Sequence, residues 1–337
     1  MKTVAQRALR IGCAGAGRAG KVHIKHLQRT KDAEIVAICT PDPTEQAWAR
    51  QIAPQAMIYS DYDTPTPLHR VQVMEALRRD LHIFCEKPLS KSPSEAHELV
   101  KEATNRPHLK VGCAFPRRFD SRYIAARKKI AAGAIGKVLL ARSQTTDMLD
   151  RSDFWLQYAK NSGGIFVDSA VHCIDICLFL IGAQPGILQN SLIPVKAYAT
   201  GSTQVFPKLQ EWGDADNVLG LVNFAGGVIA NFRCSRTNRH GHHSMTEIIG
   251  TEGNIIVNQD PRVMSIDVSD RYGTRMEAAV DHFDLFERSF EEEKRAFLDW
   301  VLYDKEPNFN LHDAAMAVKI GDALQKSLRE GRHVDLD

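Results

Sequence analysis

The hydrophobic pattern changes character about a third of the way along the chain. Up to Ala114, short apolar runs alternate with amphipathic stretches at helical spacing, the rhythm of βα units. Strands are predicted over 8–14, 34–39, 56–59, 81–85 and 109–114, with helices over 18–29, 43–52, 68–79 and 93–104. Beyond Phe115 strand-like alternation takes over, at 137–146, 192–200, 217–224, 227–233, 246–250, 254–257 and 263–268. Turn signals such as Ala225-Gly226-Gly227 and Thr251-Glu252-Gly253 separate these runs. One helix over 168–181 interrupts them, and two more, over 285–303 and 312–329, close the chain. The pattern predicts an α/β domain over 1–120 and an α+β domain over 121–337 whose open sheet is mostly antiparallel. One beat is missing. Between Tyr59 and Leu68 there is no apolar run long enough for the strand that should pair beside the first one.

The first strand leads directly into Gly15-Ala16-Gly17-Arg18-Ala19-Gly20 and then a helix. This is Gly-x-Gly-x-x-Gly in a strand–turn–helix setting, the dinucleotide-binding pattern of a Rossmann domain. The first glycine allows a tight turn, the second lets a pyrophosphate approach the backbone, and the third permits close helix–strand packing. The helix N-terminus adds amide donors and a favourable dipole. An NAD enzyme usually carries an acid about 20 residues further on, at the end of the second strand, for the ribose 2′-hydroxyl. Thr40 stands there instead, with Asp42 two residues later. The sequence favours NAD if Asp42 reaches the ribose, with NADP as the alternative and a simple turn beside Pro41 and Pro43 as the structural reading.

Composition narrows the class without changing it. The 337 residues are 44% hydrophobic and 25% charged, which excludes a disordered or collagen-like chain. A formal charge of +2 with no long basic block argues against a nucleic-acid partner. No run approaches the ~20 apolar residues of a membrane span. The cysteines (13, 39, 85, 113, 173, 177 and 234) are odd in number and mostly lie in apolar runs, which points to a reducing, cytoplasmic location.

Two further clusters carry chemistry. Glu86-Lys87-Pro88 follows a strand of the first domain, where open α/β sheets place their ligands, so Lys87 can polarise a substrate oxygen. In Gly163-Gly-Ile-Phe-Val-Asp168-Ser-Ala-Val-His172-Cys-Ile-Asp175, Asp168 and His172 are four apart at a predicted helix start. On one helix face, Asp168 would orient the imidazole and make His172 a general base. The plain alternative is a capping Asp and a core His. No further evident ligands accompany Asp168, His172 and Asp175, so no metal site is expected.

Together these segments resemble the Gfo/Idh/MocA oxidoreductase family over nearly the whole chain. They are the glycine loop with Arg18 and His23, Thr64-Pro65-Thr66-Pro67-Leu68-His69, Glu86-Lys87-Pro88-Leu89 and the Gly163–Asp175 run. Gly112-Cys-Ala-Phe-Pro-Arg117-Arg-Phe-Asp120 and Gly213-Asp-Ala-Asp-Asn217 look most like inositol 2-dehydrogenases. The resemblance implies hydride transfer from a secondary alcohol of a polyol or sugar to nicotinamide, with Lys87, Asp168 and His172 catalytic. It also implies a cofactor site at Gly15, Gly17, Arg18, Ala19, Gly20, Thr40, Asp42, Thr64, Pro65, His69, Glu86 and Lys87. Arg117 and Asp120 are candidate substrate ligands, and a homodimer or homotetramer paired through the second-domain sheet is implied. The chain departs from the family where His240-Gly-His-His243 replaces an aromatic Tyr-Gly-Tyr-Asp-like stretch and where Phe290 replaces a common Tyr. It also lacks the helix and strand, roughly 15–20 residues, that precede the Thr-Pro-Thr-Pro segment in the family. A repacked sheet, a non-catalytic ligand sensor and a gene-model artefact are the competing accounts of that loss.

Overall fold

A computed structural model describes residues 8–61 and 68–336. The first lobe is β1 (Leu9–Ala14), α1 (Arg18–Gln28), β2 (Ala33–Cys39), α2 (Pro43–Ile52) and β3 (Met57–Tyr59), with parallel order β1-β2-β3. Then come α3 (His69–Arg78), β4 (Ile83–Cys85), α4 (Pro93–Thr104) and β5 (Val111–Cys113), in which β4 and β5 form a separate parallel pair. The expected shortfall is therefore visible as a break. Among the described residues no strand lies between β1 and β4, and a single Rossmann-type sheet has become two pieces.

The break also divides the hydrophobic core. Ile24, Ile35, Ile38, Ala49 and Ala53 form a small cluster joined by Leu298 from a C-terminal helix. Residues of α3, β4, α4 and β5 instead join the main core. Arg10, Gly12 and Ala14 are exposed along β1, and a side chain built at Gly12 would meet open space. An unpaired strand edge over a small core is a poorly protected element.

The remainder runs α5 (Ser121–Ala131), β6 (Val138–Met148), α6 (Asp153–Asn161), α7 (Ile165–Asp168), α8 (Ala170–Ile181), β7 (Pro194–Ser202) and α9 (Lys208–Glu211). It continues through β8 (Asn217–Phe224), β9 (Ile229–Asn238), β10 (His243–Gly250), β11 (Asn254–Val257), β12 (Arg262–Asp270) and β13 (Gly273–Ala278). Three helices, α10 (His282–Leu285), α11 (Glu287–Tyr303) and α12 (Leu311–Glu330), precede a short β14 (Val334–Asp335). Seven strands form one sheet of order β11-β10-β6-β9-β8-β7-β14, antiparallel except for the β6–β9 pair. Every residue of α8 is buried, because this nearly all-apolar helix packs against α12 and α5 and on β6 and β9. Arg118 on the 3-10 turn Pro116–Phe119 pairs with Asp175 of α8 at 2.7 Å and Asp313 of α12 at 2.8 Å, so the buried charges are compensated.

The divided core predicts uneven protection. In hydrogen–deuterium exchange, amides of β1 and β2 should exchange at least about tenfold faster than those of β6, β8 and β9. Equal protection across both groups would show that the first lobe is held by something other than its own core.

Candidate functional site

The glycine turn is built for a close approach. Gly15 has φ 89°, and a Cβ on Gly20 would sit 2.3 Å from the Gly15 carbonyl oxygen, so α1 can pack this near the turn only without a side chain there. Gly17 is the N-cap of α1 without a side-chain cap, and the first turn holds no acid. Arg18 is exposed and Ala19 and Gly20 are half-buried. Uncapped amides at an N-terminus bearing an arginine suit a pyrophosphate.

The end of β2 carries Thr40 where an acid is expected. Thr40 is buried and its hydroxyl donates to Glu45 Oε2 at 2.5 Å. Asp42 is exposed and engaged locally. Its Oδ1 accepts the Glu45 backbone N–H at 2.9 Å and caps α2, the usual work of an Asp before a proline-initiated helix. Glu45 Oε1 lies 3.7 Å from the Cβ position of Gly17, beside the glycine turn. The sequence reading missed Glu45 because the carboxylate is supplied from the first turn of α2 and not from the strand end.

Glu86 and Lys87 follow β4. His23 of α1 is half-buried and hydrogen-bonds through Nε2 to Glu86 Oε1. Burial alone would raise the Glu86 pKa, but the His23 hydrogen bond and the charges of His23 and Lys87 pull it down to about 2. Glu86 is therefore ionised at neutral pH. His69 does not reach the cleft. It is buried with Nδ1 2.8 Å from the Pro88 carbonyl oxygen, and so supports the loop that carries Lys87. Thr64 and Pro65 lie outside the described residues.

Lys87 Nζ donates to the Asp168 backbone oxygen at 3.0 Å and to Asp168 Oδ1 at 3.2 Å. Tyr158 of α6 donates to the same Oδ1 at 2.7 Å, and Arg236 of β9 lies 3.7 Å from Oδ2. Arg236 is in turn held by Asp214 at 2.6 Å. Burial opposes ionisation of both members, yet each partner overcomes it. Asp168 is held below the usual carboxylate range by Lys87, Arg236 and Tyr158, and Lys87 above the usual lysine range mainly by Asp168. Sequence reasoning gave Tyr158 and Arg236 no role, because their approach is set by helix and strand packing.

The expected Asp168–His172 couple does not form. Asp168 ends the short helix α7 and His172 begins the second turn's approach in α8, with a break at Ser169. No hydrogen bond joins the two among the described residues, so Asp168 fixes Lys87 and leaves His172 to other neighbours. Gly164 sets this geometry. At φ 101° it turns the chain into α7, and a Cβ there would lie 2.3 Å from Gln325, whose Oε1 accepts the Phe166 N–H. His172 is 7% exposed, packs edge-on to Phe115, and lies with its ring centre 4.8 Å from that of His282. Burial first, then Lys87, His282 and Arg117, push its pKa well below 6.5, so the imidazole is neutral at pH 7.

Arg117 and Asp120 are wall residues and not open ligands. Arg117 is 1% exposed, donates to Thr145 Oγ1 at 2.7 Å and to Cys173 Sγ at 3.7 Å, and lies over the Phe286 ring. Asp120 caps α5, pairs with Arg122 and accepts the Ser289 hydroxyl. Among the described residues no three His, Cys, Asp or Glu side chains are grouped to hold a metal ion. An open hollow of about 470 Å³ is lined by His240, His243, Pro261, Met276 and Ala278, and contains none of the Lys87 cluster.

An uncapped glycine-turn helix for a dinucleotide, with an ionised Lys–Asp pair and a neutral imidazole at the cleft, describes a nicotinamide-dependent oxidoreductase. Comparison with known proteins gives the same class. Residues 9–113 match the oxidoreductase family with an NAD-binding Rossmann fold, and residues 123–256 match the GFO/IDH/MocA C-terminal domain. The chain belongs to the GFO/IDH/MocA oxidoreductase family. It is 28% identical to the scyllo-inositol 2-dehydrogenase (NAD(+)) of Bacillus subtilis, over 98% of this chain and 97% of that one. The solved myo-inositol 2-dehydrogenase of Lactobacillus plantarum superposes with a TM-score of 0.90 at 28% identity, covering 98% of this chain and all of the other. The scyllo-inositol dehydrogenase of Lactobacillus casei, solved with NAD(H) and scyllo-inositol, gives 0.89 at 25% identity over 98% and 99%.

The residues of the glycine turn fit NAD: Gly17 and Arg18 would hold the pyrophosphate, and Glu45, beside the turn, would meet the adenosine ribose. Glu45→Gln should weaken NADH binding about tenfold, the worth of a charge-assisted hydrogen bond, and narrow any preference over NADPH. Fluorescence titration of each nucleotide measures this, and an unchanged NADH affinity would remove Glu45 from the ribose site.

Proposed function

We propose that this protein oxidises a secondary alcohol of an inositol-like polyol or sugar, with Lys87, Asp168 and His172 as its catalytic centre. The observation that carries the reading is the ionised Lys87–Asp168 pair close to an imidazole held neutral by its surroundings. Bound nicotinamide accepts the hydride in this chemistry. On the protein side, His172 takes the hydroxyl proton, and Lys87 stabilises the negative charge that grows on the oxygen. Asp168, Tyr158 and Arg236 hold Lys87 in place. The names of the relatives support the inositol class. The histidine-rich 240–243 turn replaces the aromatic stretch usual in those enzymes, so the substrate is put forward as a class, a vicinal polyol. A ligand sensor without turnover has no use for an ionised pair beside a neutral base, which is why the enzyme reading is preferred.

The division at residue 120 is supported by the two family matches on either side of it. A cytosolic location is supported by seven free cysteines, and no helix among the described residues is long and apolar enough to cross a membrane. We also infer a homo-oligomer paired through the seven-stranded sheet. Leu139, Tyr198, Leu219 and Leu221 are all more than 40% exposed on its strands, with Tyr198 and Leu221 cross-strand partners. Exposed apolar side chains on a sheet face, here interleaved with Asn231 and Arg233, suit a contact surface between copies.

Initial rates of NAD⁺ reduction with myo-inositol test the reaction. Turnover is expected, with Lys87→Ala losing 100-fold or more in kcat, on the order of one lost oxyanion stabiliser. Because His172 must be unprotonated and its pKa is lowered, the acid limb of kcat/KM should lie below pH 6.5. Rates lost as pH falls toward 7 would contradict the neutral base, and absence of turnover on a panel of inositols and sugars, with NADH binding intact, would sink the reaction. For the oligomer, Leu219→Asp should lower the sedimenting mass, whereas a monomeric parent protein would end that idea.

A further inference from the structure

Each oxidation of an alcohol by NAD⁺ yields a ketone, NADH and one proton. The hydride leaves the carbon with its electron pair, and the hydroxyl proton must leave separately. His172, the group that receives it here, is almost wholly buried and has no hydrogen-bond partner among the described residues. Its Nδ1 is closed off from solvent. A proton taken up at such a site needs a way out.

Two more buried imidazoles stand beside it. His282, at the start of α10, has its ring centre 4.8 Å from that of His172 and 5.5 Å from that of His242. Both ring nitrogens of His282 are buried without partners, as is Nε2 of His242. No nitrogen of one ring is hydrogen-bonded to the next, so transfer across these short gaps uses a bridging water or a ring rotation. His242 Nδ1 lies 2.8 Å from Asp147 Oδ1 at the end of β6. That carboxylate is 40% exposed, whereas the His242 side chain is 1% exposed. The series thus begins at a buried base and ends at a solvated acid. Buried polar atoms left open in sequence along one line are better explained by proton traffic or water than by packing.

We propose that His282, His242 and Asp147 form a proton exit for His172. The proposal rests on the assignment of His172 as the base. The hydroxyl proton arrives at His172 Nε2 and the proton on Nδ1 passes to one nitrogen of His282. His282 releases the proton of its other nitrogen to His242 Nε2, and His242 Nδ1–H is handed to Asp147, which exchanges with water. One proton enters and one leaves, and each ring ends in its opposite tautomer. The hydrogen bond to Asp147 favours the starting tautomer of His242, with Nε2 free to accept. The charged and titratable groups around the series are Lys87 and Arg117 against His172 and His282, and Asp147 against His242. Burial and these cations keep His172 and His282 neutral, so the proton moves through neutral rings and does not rest on them. The family resemblance offers no precedent for the exit, since this turn is where the chain departs from it.

Asp147→Asn and His282→Phe test the proposal, the first being a mild change at a half-exposed side chain. Stopped-flow mixing of enzyme, NAD⁺ and myo-inositol would follow NADH absorbance and a pH indicator together. In the parent protein the two signals should rise together. In both variants proton release should lag and kcat fall about tenfold, with added imidazole restoring part of the loss and the NADH dissociation constant unchanged. A rise in KM alone would make His242 and His282 substrate contacts and overturn the exit, as would unchanged kcat with synchronous proton release. His172→Asn separates the two readings: if it leaves hydride transfer intact, the base assignment itself has failed. Nitrogen-15 spectra of the free protein give a readout independent of turnover. Asp147→Asn should move the tautomer-sensitive shifts of His242, His282 and His172, and a change confined to His242 would show that the rings are not connected.

Discussion

The pairing of Lys87 with Asp168 is the contact on which the rest of the site depends. Two charges taken out of water are costly, and the cost is met only when geometry and additional hydrogen bonds compensate them. Here Asp168 receives Lys87 from the loop after β4, Tyr158 from α6 and Arg236 from β9, and Arg236 is itself neutralised by Asp214. Three elements, the loop after β4, α6 and β9, are thereby tied to one carboxylate, and its removal would leave the Lys87 ammonium without its anion. The lysine gains a fixed position and a permanent charge. Those are the properties required of a group that must meet a developing alkoxide without rearranging first.

That arrangement explains how the site can outlast damage to the sheet beneath it. Among the described residues no strand lies between β1 and β4 to join the two parts of the first lobe. Without one, β4 and β5 are held by the main core, through α3 and α4, and Lys87 is held by the second domain. The half that loses support is β1 to β3, which carries the glycine turn and its own small cluster. Its connections to the rest run through α1, by Leu298 of α11 and by the His23–Glu86 hydrogen bond. The catalytic groups and the cofactor turn therefore sit on differently anchored bodies. Binding of a dinucleotide across both would add a link that the protein alone lacks, and would stabilise the first lobe in proportion to ligand concentration.

Much of this was legible in the chain, and the reasons differ by element. The boundaries of α2, α4, β8 and β11 follow from proline starts and clean alternation. The missing strand could be read because an apolar run is a necessary condition for a buried strand. Asp168 and His172 were both found, but their relation was not. The i, i+4 rule assumes one continuous helix, and the chain breaks at Ser169. Asp42 and Arg117 have structural contacts that residue type alone did not announce. Residue type and position suggested ligands, while the local backbone used Asp42 as a cap and the packing of Phe286 and Cys173 buried Arg117. Glu45, Tyr158 and His282 carry no sequence signal of their own, because each reaches the site by tertiary placement, and Arg236 stands in a family-like stretch that by itself assigned it no role.

The two relocations have a shared logic. At the end of β2 Thr40 stands where a carboxylate is expected, and it donates to Glu45 of the next helix, the ribose acid proposed above. At the substrate end an aromatic turn has given way to histidines, and Asp147 fixes one of them. In both cases the new side chain lies beside the place that the family pattern assigns, and a neighbouring polar group orients it. A binding site constrains where a charge or a donor must be in space. It constrains much less which backbone position supplies it, provided that a second residue holds the group still. The substitutions at 240–243 therefore change the acid–base character of the cleft wall while leaving the Lys87–Asp168 pair untouched.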